Sequence, residues 1–418
     1  MENSVKIGLF GFGCVGQGLY DVLSNSRGFK TEIKKIVVKD RHKKRRLPAE
    51  MFAFDKEEIL NDPEINLVVE LIDNADDAFV IVSEALRKGK NVVSANKKMI
   101  AEHFEELVKL QNEFGTSLLY EASACGSIPI IRNLEEYYDN ELLKAVSGIF
   151  NGSSNYILTK IQNENLEYET ALKQAQDLGF AESNPKLDVE GYDAKYKLII
   201  VAGHTFGVFA KPDEVLNLGI QNLSIGDVEY ARSRNSKIRL VTTTFQIDDE
   251  HMTLFVTPRL VGKEDQLYNV NNEYNAVILE AAFSDKQLFI GKGAGGHPTG
   301  SAVLSDISAN AYHYRYEYKK FHQGNSFKYS TDVELEVYLR SNDASLLDEL
   351  KFSVIKEKSV NYVTGVNYVI GHVSLATLLE KRERINASGS FLATTGEIIL
   401  KNASLQTKVQ LTESVGVN

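Results

Sequence analysis

The chain has 418 residues, 43% hydrophobic and 25% charged, a length and composition that predict two or three soluble, ordered domains. Its net charge of −10 excludes a general affinity for nucleic acid or for an anionic membrane. Two cysteines, Cys14 and Cys125, are too few for a disulfide scaffold, and no apolar stretch has the length to span a bilayer. With Ser4 followed at once by the core-like run VKIGLFGFG, no leader is expected, and the cytoplasm is the expected compartment.

The first third alternates β-branched runs with amphipathic stretches. Val5–Gly13, Ile33–Val38, Ile65–Asp73, Asn91–Ala95 and Ser117–Ser123 read as strands. Asp76–Gly89 and Met99–Phe114 read as helices; in the second, Ile100, Phe104, Leu107 and Leu110 recur at helical spacing. Strands alternating with helices predict a parallel sheet covered on both faces. The middle groups helices at Asn155–Gln162, Thr170–Leu178, Asp193–Phe206 and Asp227–Asn235. Strands follow at Ile238–Ile247, His251–Val261, Tyr274–Phe283 and Lys286–Ile290, which predicts an α+β domain. Glycine-rich Gly291–Gly300 then leads into a helix over Ser301–Tyr312, and Tyr314–Lys328 reads as a linker. The tail, Tyr329–Leu400, fits strand, helix, two strands around Gly365, helix and strand, the ferredoxin-like split order.

Gly11-Phe12-Gly13-Cys14-Val15-Gly16 is G-x-G-x-x-G between the first strand and the first helix. The first glycine permits a tight turn, the second lets the backbone approach a pyrophosphate, and the third lets helix pack on strand. The phosphates would sit on N–H groups at the helix start, so Gly11, Gly13, Cys14, Val15 and Gly16 are candidate contacts of a dinucleotide. Cys14 itself reads as a small packing residue. At the end of the second strand, Asp40 suits a ribose hydroxyl of NAD, whereas Lys39 and Arg41 suit the 2′-phosphate of NADP. The basic neighbours tip the reading towards NADP, while Lys43–Arg46 read as a solvated charged loop.

Ala175–Lys197 reads AQDLGFAESNPKLDVEGYDAKYK. Pro185 and Gly191 mark a loop, and the helix after it carries Asp193 and Lys197 four apart on one face. An ammonium aimed at a substrate oxygen stabilises an alkoxide as hydride leaves carbon, and its carboxylate neighbour orients it. Alone, such a pair is more often a solvated surface salt bridge. Its surroundings decide otherwise, because the segment resembles the signature of the homoserine dehydrogenase family. Ala175, Gly179, Phe180, Ala181, Asn184, Pro185, Asp188, Val189, Gly191, Asp193 and Lys197 fill its fixed positions.

The resemblance implies catalysis by Asp193 and Lys197, and a homoserine site that includes Lys197, Glu182 and Asp188, with Glu182 suited to the amino group. Ser94-Ala95-Asn96-Lys97 is similar to the family's T-x-N-K element, which makes Lys97 the other acid/base candidate and Ser94 a cofactor-side residue. Which lysine moves the proton stays open. Tyr120–Pro129 matches a loop whose carbonyls, here those of Glu121, Ala124, Gly126 and Ile128, hold a monovalent cation (Na+ or K+) in some members; a plain glycine turn fits as well. Gly148–Leu158 and Gly293–Val303 match the family's entry to the substrate domain and its return, with His297 read as packing or hinge. After Glu70, Asp73-Asn74 stand where the family usually has a glycine pair.

The fold this implies is α/β: a Rossmann-type parallel sheet over 1–146 with 291–318, an α+β substrate-binding and dimerisation domain over 147–290, and a small ferredoxin-like, ACT-like domain over 329–418. The activity it implies is NAD(P)-dependent interconversion of L-homoserine and L-aspartate 4-semialdehyde, in threonine and methionine biosynthesis, by a homodimer or tetramer of the monofunctional type. Two other classes compete. A thioester-forming semialdehyde dehydrogenase would need a catalytic cysteine, and neither Cys14 nor Cys125 is suitably sited. A nucleotide sensor would have no need of Lys97, Glu182, Asp193 and Lys197 together.

Overall fold

The computed structural model describes residues 5–26, 31–140, 142–322, 327–360, 367–400 and 408–410. They cluster into two compact units, residues 1–139 with 291–320, and residues 140–290 with 321–418.

The first unit holds strands β1 (Val5–Phe10), β2 (Thr31–Val37), β3 (Phe52–Ala53), β4 (Leu67–Glu70), β5 (Asn91–Ser94) and β6 (Leu118–Leu119). They form an all-parallel sheet in the order β3-β2-β1-β4-β5-β6, the doubly wound order, with its switch point between β1 and β4. Buried on both faces, the central strands are continuously apolar, as LVV of β4 and VV of β5 show. Helix Gly296–Ala311 returns to pack on helix Cys14–Asn25 through glycines. A Cβ on Gly18 would stand 2.1 Å from the Gly296 carbonyl oxygen, and one on Gly300 would stand 2.6 Å from the Leu19 nitrogen.

Part of the stretch expected to be a linker is core. Tyr316 and Tyr318 are fully buried, and the Tyr318 hydroxyl lies 3.0 Å from that of Tyr120. Tyr316 meets the Tyr120 ring edge-on at 5.0 Å, and Tyr318 likewise meets Phe104 at 6.4 Å. The alternation Tyr314, Tyr316, Tyr318 was an extended apolar segment with polar neighbours, and its ring area is worth burying.

The second unit holds β7 (Leu143–Ile149), β8 (Leu216–Asn217), β9 (Ser236–Gln246), β10 (His251–Gly262), β11 (Tyr274–Ala281), β12 (Asp285–Lys292), β13 (Lys328–Tyr329), β14 (Val333–Arg340), β15 (Val354–Val360), β16 (Asn367–Ser374), β17 (Phe391–Leu400) and β18 (Lys408–Gln410). They form a mixed sheet whose main path is β12-β11-β7-β9-β10-β17-β14-β16-β15. The tail follows the expected strand–helix–strand–strand–helix–strand order, with its second helical stretch divided into Leu375–Glu380 and Arg382–Ala387. Its strands pair antiparallel in the order β17-β14-β16-β15, the arrangement of a split βαβ unit. Gly365 lies outside the described residues.

The tail is continuous with the middle of the chain. β17 joins β10 in parallel at Arg259 and Thr394, whose neighbour Thr257 brings its hydroxyl within 3.1 Å of the Thr394 hydroxyl. Phe245, Phe255, Leu216 and Leu218 share one core with Val333, Leu335, Val337, Leu375 and Leu378. Helix Tyr192–Phe206 is buried from Asp193 onwards, as an apolar run on nearly all sides requires. Among the described residues no helix is long and apolar enough to cross a membrane.

Candidate active site

The glycine loop of the first unit is built as the motif demands. Gly11 has φ +92°, and a Cβ there would stand 2.5 Å from the Leu71 carbonyl oxygen, so only glycine makes this turn. A Cβ on Gly16 would stand 2.5 Å from the Gly11 carbonyl oxygen, which forces close helix–strand packing. At Gly13 a Cβ would meet nothing within 4 Å. Packing therefore does not require glycine there, and the open space leaves the backbone accessible to a ligand. No side chain caps helix Cys14–Asn25, and its first turn carries no acid, so the N–H groups beside Cys14 and Val15 suit an anion. Cys14 is exposed.

The basic run is more engaged than a solvated loop. Lys39 pairs with Asp77 at 2.6 Å, and Arg41 stacks 4.8 Å over Phe54. Arg45 stacks 5.2 Å over Phe52 and donates 2.7 Å to the Asp40 carbonyl; Arg46 pairs with Asp21 at 2.6 Å. Asp40 accepts from the backbone N–H groups of His42 (2.8 Å) and Lys43 (3.1 Å), and the His42 bond chiefly holds its carboxyl below the usual range. One oxygen of Asp40 is thus committed to its own turn.

At the carboxyl ends of β4 and β5, the fully buried Glu70 accepts from the Ser94 hydroxyl (2.6 Å) and the Ile72 N–H (2.7 Å). Burial pushes its carboxyl up to about 7. Asn96 donates to the Ile72 carbonyl at 3.1 Å and caps helix Lys97–Phe114 by accepting from Met99 N–H at 3.0 Å. Lys97 thereby stands at the first position of a helix fixed to the switch point, half-buried, while Lys98 is exposed. Asn74, where a glycine pair was expected, caps helix Ala75–Arg87 by accepting from Asp77 N–H at 2.8 Å.

In the cation-loop segment, the Glu121 carboxylate accepts from Ile131 N–H (2.8 Å) and Arg132 N–H (2.9 Å). The Glu121 carbonyl accepts from Ala124 N–H and that of Ile128 from Ile130 N–H. Cys125 and Gly126 are both left-handed, and a Cβ on Gly126 would meet the Gly293 backbone at 2.6 Å. His297 is exposed, and its Nε2 lies 3.3 Å from Asp21.

The second unit assembles the signature. Gly191, with φ +81°, turns the chain into helix Tyr192–Phe206. Asp193 sits in its first turn, where the helix dipole favours a carboxylate. Lys197, one turn on, pairs with Asp193 at 2.8 Å and donates to the Phe150 carbonyl at 2.8 Å. Both side chains are only 7% exposed, so this is no surface salt bridge.

Sequence reasoning gave Asn151 no role, yet it organises the cluster. Its amide nitrogen donates to Asp188 (2.7 Å) and Asp193 (2.9 Å), while its oxygen caps helix Gly152–Glu164 by accepting from Ser154 N–H at 2.7 Å. The Asn-Gly-Ser-Ser run was a legible cap signal; the bond to Asp193, 42 residues on, was not. Asp188 joins the cluster half-buried, whereas Glu182 lies exposed on the preceding loop.

A family model described as homoserine dehydrogenase matches residues 129–308, and one described as homoserine dehydrogenase, NAD binding domain, matches residues 11–121. Homoserine dehydrogenase of Bacillus subtilis is 32% identical over 399 residues, 90% of this chain and 91% of that one. That of Helicobacter pylori is 37% identical over 314 residues, 73% and 74% of the two chains. The crystal structure of a homoserine dehydrogenase from Thiobacillus denitrificans superposes with a TM-score of 0.80 at 26% identity, covering 94% of this chain and 98% of that one. A hyperthermophilic archaeal homoserine dehydrogenase mutant in complex with NADPH does so at 0.64 and 27%, covering 75% and 99%. With both family models spanning more than half of its length, the chain belongs to the homoserine dehydrogenase family of NAD(P)-dependent oxidoreductases.

Proposed function

We propose a division of roles for the interconversion of L-homoserine and L-aspartate 4-semialdehyde. The observation that carries it is the buried Asn151–Asp193–Lys197 arrangement anchored on the Phe150 carbonyl. The chemistry a bound NAD(P) would supply is acceptance of hydride from the carbinol carbon, or its return to the aldehyde. Lys197 spends two of its three N–H donors on Asp193 and Phe150, which leaves one for the substrate oxygen. That donor stabilises the developing alkoxide without reorganising, because its partners already fix it. Asp193 holds the ammonium in position, and Asn151 holds Asp193. An ammonium with all three N–H donors in use has no lone pair for a proton, so with Lys197 holding the oxygen the hydroxyl proton passes to Lys97, and with Lys97 holding it, to Lys197. Glu182 and Asp188 take the amino-acid end of the substrate, Glu182 through its ammonium.

Gly11, Gly13, Cys14, Val15 and Gly16 hold the pyrophosphate, and Ser94 and Lys97 lie on the nicotinamide side. Arg41 and Lys39 favour NADP over NAD, since Asp40 has one oxygen committed to its turn. The carbonyls of Glu121, Ala124, Gly126 and Ile128 take a Na+ or K+ ion, a hard cation that accepts oxygen ligands. The assay that tests the reading mixes the full chain with homoserine and either cofactor and follows reduced-nicotinamide absorbance. Homoserine-dependent reduction is expected, faster with NADP; none with either cofactor would overturn it.

The tail is an ACT-like module for assembly or effector response. Through Asn217 it touches the signature loop: Asn217 donates to the Glu190 carbonyl at 2.8 Å and accepts from Arg382, and Ile220 N–H donates to the Val189 carbonyl at 2.7 Å. Asn222 in turn donates to the Asn386 and Ser390 carbonyls. Assembly is the better-supported half, because Asp343, the acid of the turn after β14, caps its own helix and pairs with Arg384. Threonine titrated into the full-length enzyme should leave the rate unchanged; inhibition would favour effector binding. The edge hairpin β11–β12 exposes Tyr274, Phe283, Leu288 and Ile290, which suits a homodimer or tetramer of this sheet, in the cytoplasm and serving threonine and methionine biosynthesis.

A further inference from the structure

Away from the catalytic cluster, three neighbouring strands of the tail bring Glu397 (β17), Glu336 (β14) and His372 (β16) together on one face. Glu336 and His372 are direct cross-strand partners. The register between β14 and β17 shifts across Glu336, and that between β15 and β16 shifts across Lys356. Such bulges re-aim side chains and occur beside functional sites. Leu335 and Val337, the chain neighbours of Glu336, point into the core on the opposite face.

His372 is 3% exposed, and neither of its ring nitrogens makes a hydrogen bond. An imidazole buried in this state costs free energy unless something else satisfies it. Its Nε2 lies 3.4 Å from Glu336 Oε2 and 3.5 Å from Glu397 Oε1, and one ligand atom from each of the three residues falls within 4.8 Å of the others. Ligand bonds of about 2.0–2.2 Å give tetrahedral edges of roughly 3.3–3.6 Å. The two edges at His372 already have that length.

Lys356 is the present counter-charge. It pairs with Glu336 and, at 3.0 Å, with Glu397, and its side chain is 36% exposed, so it has a route to solvent. Two carboxylates against one ammonium leave one negative charge unbalanced between them. A divalent cation that displaced the ammonium would leave none.

We propose that Glu336, His372 and Glu397 form a site for a first-row divalent cation, zinc fitting best, with Lys356 as a displaceable gate. One nitrogen and two carboxylate oxygens are donors such cations accept, with a further position left for water. Bound there, the ion would tie β17, β14 and β16 together and stabilise the tail.

The test uses full-length protein stripped with a chelator and titrated with Co2+, read by visible absorption, with Zn2+ as competitor. One equivalent should bind saturably and raise the Tm, and His372→Asn should lose both the absorption and the Tm rise. Lys356→Met, which removes the competing charge, should bind Co2+ more tightly than the parent. The proposal is overturned if His372→Asn binds as the parent does, or if Lys356→Met binds no more tightly. It is equally overturned if neither the parent nor Lys356→Met takes up metal.

Discussion

Around Asn151, the side chains of Asp188, Asp193 and Lys197 leave no buried polar atom without a hydrogen bond, whereas around His372 both ring nitrogens lack one. The two clusters lie in the same compact unit and are built from similar residue types. In the first, an amide with both donor and acceptor ends sits between two carboxylates and a helix start. Nothing needs to move for the ammonium to stay aimed, because Asp193 and the Phe150 carbonyl already hold it. In the second, an ammonium reaches in from the surface, and the buried imidazole is left over. The comparison teaches that a satisfied buried cluster is a tool set in advance, and an unsatisfied one is a receptor for something else.

Removing the ammonium from the satisfied cluster should have the largest effect. Lys197→Ala is expected to lower kcat by roughly 10²–10⁴-fold with little change in KM, as for an interaction made chiefly in the transition state. Steady-state kinetics with homoserine check this, and a near-normal kcat would break the comparison at its first term.

Glu70 asks whether hydrogen bonds alone can accommodate a buried carboxyl. Its folded-state value of about 7 lies above the ordinary 4.5. Between those pH values the unfolded chain ionises while the folded chain keeps the proton, so stability falls as pH rises and the loss is complete above about 7. Glu70→Gln removes this slope. Urea unfolding should find the variant gaining on the parent by up to about 3 kcal/mol between pH 5 and pH 8. Identical pH slopes would mean the carboxyl titrates normally.

Asn151→Ala tests the linker of the satisfied cluster. It should cost about 10–100-fold in kcat and about 1 kcal/mol of stability, the second through the lost cap. A stability loss with unchanged kcat would reduce Asn151 to a cap. The smallest effect is expected at Arg41, which is exposed and stacked on Phe54. Arg41→Ala should raise KM for NADP several-fold more than for NAD, and equal changes would show that the arginine serves only its loop.

Much of this was legible in the sequence because it rests on local rules. The glycine loop, the alternation of strands and helices, and the i,i+4 pair Asp193–Lys197 follow from backbone sterics and helix geometry over a few residues. The tail's element order was legible for the same reason. What stayed hidden depends on long-range packing. Asn151 reaches Asp193 across a folded loop, and Tyr316 and Tyr318 are buried only because Tyr120 and Phe104 stand opposite them. The attachment of the tail rests on β17 meeting β10 at Arg259 and Thr394, which no periodicity announces. Arg45 and Arg46 looked solvated because their partners Phe52 and Asp21 sit on other elements, where no local pattern announces them.

The central claim is that Asp193 and Lys197 act as one unit. A double-mutant cycle on kcat with Asp193→Asn, Lys197→Ala and the double variant measures this directly. If the pair is a unit, the double variant should be no slower than Lys197→Ala alone, because the carboxylate acts through the ammonium it holds. Losses that multiply, with the double variant slower by the product of the two single effects, would show that the residues act independently and would contradict the account.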